Sequence, residues 1–167
     1  MTSELRLRNR QRTRAVDLRR LHRLVRHLLR EHLACAQFEL GLHLVTGEEM
    51  ARVNEQFLGH AGSTDVITFD HREGAEGPLY GELFVSVDDA VSQARSFRTT
   101  WPSELIRYII HGLLHLRGHD DQDPAARRVM KREENRLLRA LAREFELAAI
   151  ARRPTRLRSR AAARRGE

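Results

Sequence analysis

Residues 111–121 read HGLLHLRGHDD and gather side chains suited to holding a metal ion. His111 and His115 are four residues apart, and His119, Asp120 and Asp121 follow directly after Gly118. Four residues of α-helix turn the chain by about 400°, so two histidines at this spacing stand about 40° apart and about 6 Å along the axis. Both imidazoles then leave one helix face at a separation that a single cation bridges. A chain that turns back after Gly118 can offer a third ligand from the loop. Two neutral imidazoles and a carboxylate, with the fourth position open to water, form a known catalytic zinc arrangement. Two histidines at this spacing also occur by chance, one flanked by leucines being often a hydrogen-bonded core residue. The adjoining glycine and the His-Asp-Asp cluster turn the reading towards a metal. Zinc peptidases of the His-Glu-x-x-His type carry their general base directly after the first histidine, where this chain has Gly112, so that chemistry lacks its base.

A helix over about 102–117 must position this group. The preceding run SELIRYII keeps apolar residues on a helical period, Leu105, Ile106, Ile109 and Ile110 being followed by Leu113, Leu114 and Leu116. Pro102 suits the first turn, Thr100 or Ser103 the N-cap, and Gly118 the left-handed position that closes a helix.

The rest of the chain supplies a frame. Residues 4–9 and 37–45 alternate as strands, and 65–69 and 80–87 read as two more, separated by a Gly- and Pro-containing loop over 71–79. Helices are expected over 15–34, from Thr46 to about Gly59, over 88–97 and over 125–149. Thr46 and Glu49 have the spacing of a capping box. In the first helix His22, His27 and His32 recur every five residues, a spacing that spreads them round an α-helix, faces them to solvent and builds no metal site. In the last helix Val129, Leu137, Leu138, Leu141, Phe145 and Leu147 form the packed face, with Glu133 and Glu134 on the exposed side near Arg136 and Arg139. This order predicts an α+β single domain over 1–149, with a mixed sheet of about four strands, about five helices and the metal site at the end of a helix. Residues 150–167 are a basic tail expected to be disordered, either an electrostatic arm for RNA or a solvated tail.

The 167 residues are 41% hydrophobic and 32% charged, a soluble balance. Cys35 is the only cysteine, which excludes an intramolecular disulfide and suits a reducing compartment. No apolar run approaches a membrane span, and MTSELRLRNRQRTR lacks the apolar core of a secretory signal, so a cytoplasmic protein is expected. The formal charge of +7 suits a phosphate-rich partner.

The run HGLLHLRGHDD, preceded by an apolar helix and a GELFVSV strand, resembles the YbeY family of bacterial metal-dependent endoribonucleases. His111, Gly112, Leu114, His115, Leu116, Gly118, His119 and Asp120 match the family signature, which ends in a third histidine where this chain has Asp121. Gly81, Glu82 and Ser86 match a second pattern, and Asn54, Phe57, Ser63, Thr64, Asp65, Val66, Ile67, Thr68 and Phe69 a third. In the third, an arginine that the family uses on RNA phosphate falls on Leu58, with Arg52, His60 or Arg98 as substitutes; no RNA-binding residue is assigned.

Over about 4–149 the resemblance implies the same α+β fold and a single-strand-specific endoribonuclease. Its substrate would be ribosomal RNA, notably the 3′ end of the small-subunit RNA, with a part in ribosome quality control. One zinc ion would be held by His111, His115 and Asp121, and His119 or Asp120 would orient water or carry a proton; His119 is the alternative third ligand. Ribosomal RNA and the small subunit are the implied partners, with no membrane and no dinucleotide cofactor. A ribosome-assembly factor with a structural metal is the alternative, which Leu58 favours, and a hydrolase of peptides or small molecules is a third class.

Overall fold

The computed structural model describes residues 3–58, 64–74 and 76–152. Alternation of apolar and polar residues makes the four strands: β1 (Glu4–Asn9), β2 (Phe38–Val45), β3 (Val66–Asp70) and β4 (Leu79–Ser86). They form one sheet in the order β1-β2-β4-β3, with β1–β2 and β2–β4 parallel and β3 antiparallel to β4 at the edge. Leu5, Leu40, Leu42, Leu44, Leu83 and Val85 point to the inner face.

Five α-helices accompany the sheet among the described residues: α1 (Leu18–His27), α2 (Gly47–Val53), α3 (Val87–Phe97), α4 (Trp101–Leu116) and α5 (Pro124–Glu144). Leu21 and Leu24 of α1, Val91 of α3, Ile106 and Ile110 of α4, and Leu137 and Leu141 of α5 join the inner face in one core. On the outer face, Val45, Met50 and Ile67 form a smaller cluster. The fold is the expected α+β single domain with a mixed four-stranded sheet. No helix of the described residues is long and apolar enough to cross a membrane.

The element ends depart from the sequence pattern for local reasons. Helix α1 starts at Leu18 and not near 15, because the Asp17 side chain caps it by accepting from the Arg20 amide at 3.1 Å. Val16 forms a bridge with Ala151 instead. Thr46 caps α2, accepting from the Glu49 amide at 3.1 Å, but the Glu49 carboxylate accepts from Arg10 at 3.0 Å, so only half of a capping box is made. Helix α5 ends at Glu144, short of 149, and Leu147–Ile150 form a 3₁₀ turn. Ile150 is buried and Ala151 pairs with Val16, so the packed chain continues past 149. Residues 153–167 of the expected tail lie outside the described residues.

The histidines of α1 are not the solvent-facing set expected from α-helical spacing. His22 Nε2 sits 3.0 Å from the Leu5 carbonyl. Helix α1 passes into a π turn over Leu28–His32, and His27 and His32 both face Glu144. A π turn bonds i to i+5 and so brings residues five apart into line.

The motif glycine at 112 has a packing role. Gly112 sits where α4 crosses the sheet, and a Cβ there would lie 2.5 Å from Leu83 Cδ2 and 3.2 Å from Thr68 Cγ2. The motif residue Ser86 is fully buried and caps α3 by accepting from the Asp89 amide at 3.1 Å. Replacing Gly112 with alanine is expected to cost about 1–3 kcal/mol by overpacking, offset by at most about 1 kcal/mol of helix propensity. A lower urea midpoint with unchanged slope is the expected result; an unchanged midpoint would show that Leu83 yields freely.

Candidate metal centre

The helix that carries the histidines has almost no freedom. Thr100 caps α4 by accepting from the Ser103 amide at 3.4 Å, with Pro102 in the first turn. Leu105, Ile106, Ile109, Ile110, Leu113 and Leu114 are each at most 1% exposed. His111 and His115, by contrast, each keep 28% of their side chains exposed, on a stripe that opens to solvent.

The end of α4 sets the third group. Gly118 adopts φ +97°, its amide donates to the His115 carbonyl at 3.0 Å, and the His119 amide donates to the Leu114 carbonyl at 3.0 Å. This pair of bonds is the Schellman closure, which needs a left-handed residue at the glycine. Arg72 also donates to the Leu116 carbonyl at 2.6 Å. Asp120 Oδ1 then accepts from the amides of Asp121 and Gln122 at 2.7 and 3.1 Å, and so folds the loop back.

Asp121 therefore returns to the two imidazoles. His111 Nε2 and His115 Nε2 are 3.1 Å apart, and each lies 3.5 Å from Asp121 Oδ2. Zinc bonds of about 2.0–2.2 Å in a tetrahedral shell place ligand atoms roughly 3.3 Å apart, so the triangle fits an ion of that class. Two imidazoles and one carboxylate are also a donor set that this class of ion accepts.

A fourth residue completes the group. His111 Nδ1 lies 3.1 Å from Glu134 Oε1, and the Glu134 side chain is only 12% exposed. A proton on Nδ1 donated to Glu134 leaves the Nε2 lone pair facing Asp121 and His115. The sequence reading placed Glu134 on the exposed side of α5; the structure corrects this. Glu134, Leu137, Leu138 and Leu141 share the i, i+3, i+4, i+7 spacing of one face, and that periodicity was the available signal. Its neighbour Glu133 does face outward and accepts from Arg136 at 2.8 Å.

Burial opposes a charge on His111. The Glu134 hydrogen bond and the charges of Glu134, Asp121 and Asp65 outweigh that burial and raise its pKa above the ordinary 6.5. In the metal-free protein this raised value contributes stability that is complete below the unfolded pKa and is lost as pH rises through the folded one. A proton also competes with a metal for this nitrogen at higher pH than it would for a free imidazole.

The other expected residues take different places. His119 is half-buried, with its amide used in the helix closure, and Asp120 is exposed, with its carboxylate used in the turn. Neither belongs to the converging triangle. Of the substitutes for the arginine at Leu58, Arg52 pairs with Glu48 at 3.4 Å on an exposed part of α2 and Arg98 ends α3 in a left-handed conformation. His60 lies outside the described residues.

Fold and site together define an α+β domain built to present two histidines and an aspartate at one helix end. Comparison with known proteins places the fold and the family. The model of the family described as Endoribonuclease YbeY matches residues 6–142, and the chain belongs to that family. It is 33% identical over 137 residues to the endoribonuclease YbeY of Salinibacter ruber, covering 77% of this chain and 86% of that one. With the endoribonuclease YbeY of Parabacteroides distasonis it shares 44% identity over 97 residues, 58% of this chain and 67% of that one. The solution structure of TM1509 from Thermotoga maritima has the same fold, with a TM-score of 0.64 at 24% identity over 93% of this chain and 100% of that one.

Replacing Glu134 with glutamine removes the charge and keeps the shape. It is expected to lower the His111 pKa in the metal-free protein, read from the imidazole resonances in an NMR titration. Metal affinity should fall about 10–100-fold. An unmoved titration would show that Glu134 does not control His111.

Proposed function

We propose that this protein is a zinc-dependent endoribonuclease that cuts single-stranded ribosomal RNA in the cytoplasm. The proposed substrate includes the 3′ end of the small-subunit RNA, with the small ribosomal subunit as partner and a part in its quality control. The observation that carries this reading is the Nε2, Nε2 and Oδ2 triangle of His111, His115 and Asp121 in a chain of an endoribonuclease family.

In this reading His111, His115 and Asp121 hold one zinc ion. When bound, the ion acidifies water and polarises a phosphoryl oxygen. Glu134 fixes the tautomer of His111, and the Schellman closure at Gly118 fixes the approach of Asp121. His119, half-buried on the same loop, carries a proton at its imidazole. Asp120 acts by shaping the loop through its bonds to the amides of Asp121 and Gln122. An aspartate where the family signature has a histidine makes the donor set harder, which widens tolerance towards other divalent ions. The net charge of +7 favours a polyanion.

The competing reading is a ribosome-assembly factor in which the metal is structural. Leu58, standing where the family pattern has an arginine, favours it. Metal content by mass spectrometry and cleavage of a single-stranded RNA, measured on the same samples, separate the two. Asp121→Ala is expected to lose metal and cleavage together. His119→Ala is expected to keep its metal and to cut at least about ten-fold more slowly, within the range of a lost proton carrier. Metal in the wild type with no cleavage under any divalent ion would support the assembly factor. RNA binding should weaken steeply with salt in either reading; a flat salt response would contradict both.

A further inference from the structure

The geometry points to a second metal site, formed by His27, His32 and Glu144, that clamps the end of α1 to the end of α5. One ligand atom from each of the three residues lies within 4.8 Å of the others. His32 Nε2 is 2.9 Å from Glu144 Oε1. His27 Nε2 contacts the other oxygen of the same carboxylate. Both imidazoles therefore aim Nε2 at the two oxygens of one carboxylate, and a divalent ion that displaced the bridging protons would meet one ligand atom from each residue. The side chains are 31%, 18% and 37% exposed, so water can take a fourth position.

The backbone is bent to make this group. In a regular α-helix residues five apart stand roughly 140° from each other. Here the Leu33 amide donates to the Leu28 carbonyl at 3.0 Å, an i to i+5 bond that closes the π turn after His27. The two rings meet edge to face with centroids 5.3 Å apart. Single π turns within helices are uncommon and often mark functional sites. His27 packs on Phe145 as well, with centroids 5.2 Å apart, which holds its ring towards Glu144.

Electrostatics favours a cation at this point. Glu144 is the last residue of α5, where the negative end of the helix dipole opposes a carboxylate. His27 and His32 lie at the corresponding end of the α1–π segment. Two imidazoles and one carboxylate suit a zinc-class divalent ion. Glu144 is ten residues beyond Glu134 on α5, roughly 15 Å along the helix axis, so this group is separate from the His111 centre. The packed chain continues from Glu144 to Ile150 and the bridge of Ala151 to Val16, so an ion here would secure the closure of the domain.

The test uses the full-length chain, loaded with zinc, desalted and measured by mass spectrometry. Wild type and His32→Ala are expected to differ by one equivalent of zinc, whatever the occupancy of the His111 centre. In a His111→Ala background, cobalt should give the visible absorption of a four-coordinate site, and adding Glu144→Gln should abolish it. Zinc should raise the thermal midpoint of His111→Ala and leave that of His111→Ala/Glu144→Gln unchanged; circular dichroism checks that each variant is folded. Equal zinc content in wild type and His32→Ala, or a cobalt spectrum that survives Glu144→Gln, would overturn the proposal and leave a proton-only cluster.

Discussion

Helix α4 lies so close to β3 and β4 that even a Cβ at residue 112 would lie 2.5 Å from Leu83 Cδ2, and this approach fixes the rest of the site. With Leu83 and Thr68 against the helix backbone, the rotation of α4 about its axis is set by six nearly inaccessible aliphatic residues. A rotation that moved His111 or His115 would expose part of that core, at a cost of about 25 cal/mol for each Å² of apolar surface. The imidazoles are therefore oriented by burial of their neighbours, which is the preorganisation that the proposed metal centre would need. The same glycine that removes a peptidase base lets the helix dock.

Two further elements converge on that helix end. The closure at Gly118 and the turn made by Asp120 bring Asp121 back over the histidines, and α5 brings Glu134 behind His111. The result is a cluster of two carboxylates and two imidazoles in a protein of net positive charge. In the proposed function Asp121 and Glu134 would attract a cation towards the Nε2 atoms, and the net charge of +7 would favour a polyanion.

Much of this was legible in the sequence, because it rests on short-range rules. Strict alternation in FELGLHLV and LYGELFVS, and the unbroken apolar period before His111, located the sheet and α4. The left-handed role of Gly118 followed from residue type alone. What escaped depended on phase and on partners distant in sequence. Glu134 shares the buried period of α5, yet its carboxylate next to Glu133 and Arg136 resembles a solvated ion-pair pattern. His27 and His32 were out of phase for an α-helix, and their meeting at Glu144 required a π turn that no residue in LLREH announces. The end of α5 failed similarly: Phe145 leaves helical geometry while Leu147 and Ile150 still pack, so apolar content continued past the helix.

The most direct measurement is a crystal structure of the zinc-loaded protein with anomalous data collected at the zinc edge. The account predicts an anomalous peak within about 2.0–2.2 Å of His111 Nε2, His115 Nε2 and an Asp121 oxygen, with His111 Nδ1 still on Glu134. Density for zinc elsewhere with none between His111 and His115, or a centre completed by His119 while Asp121 points away, would contradict it.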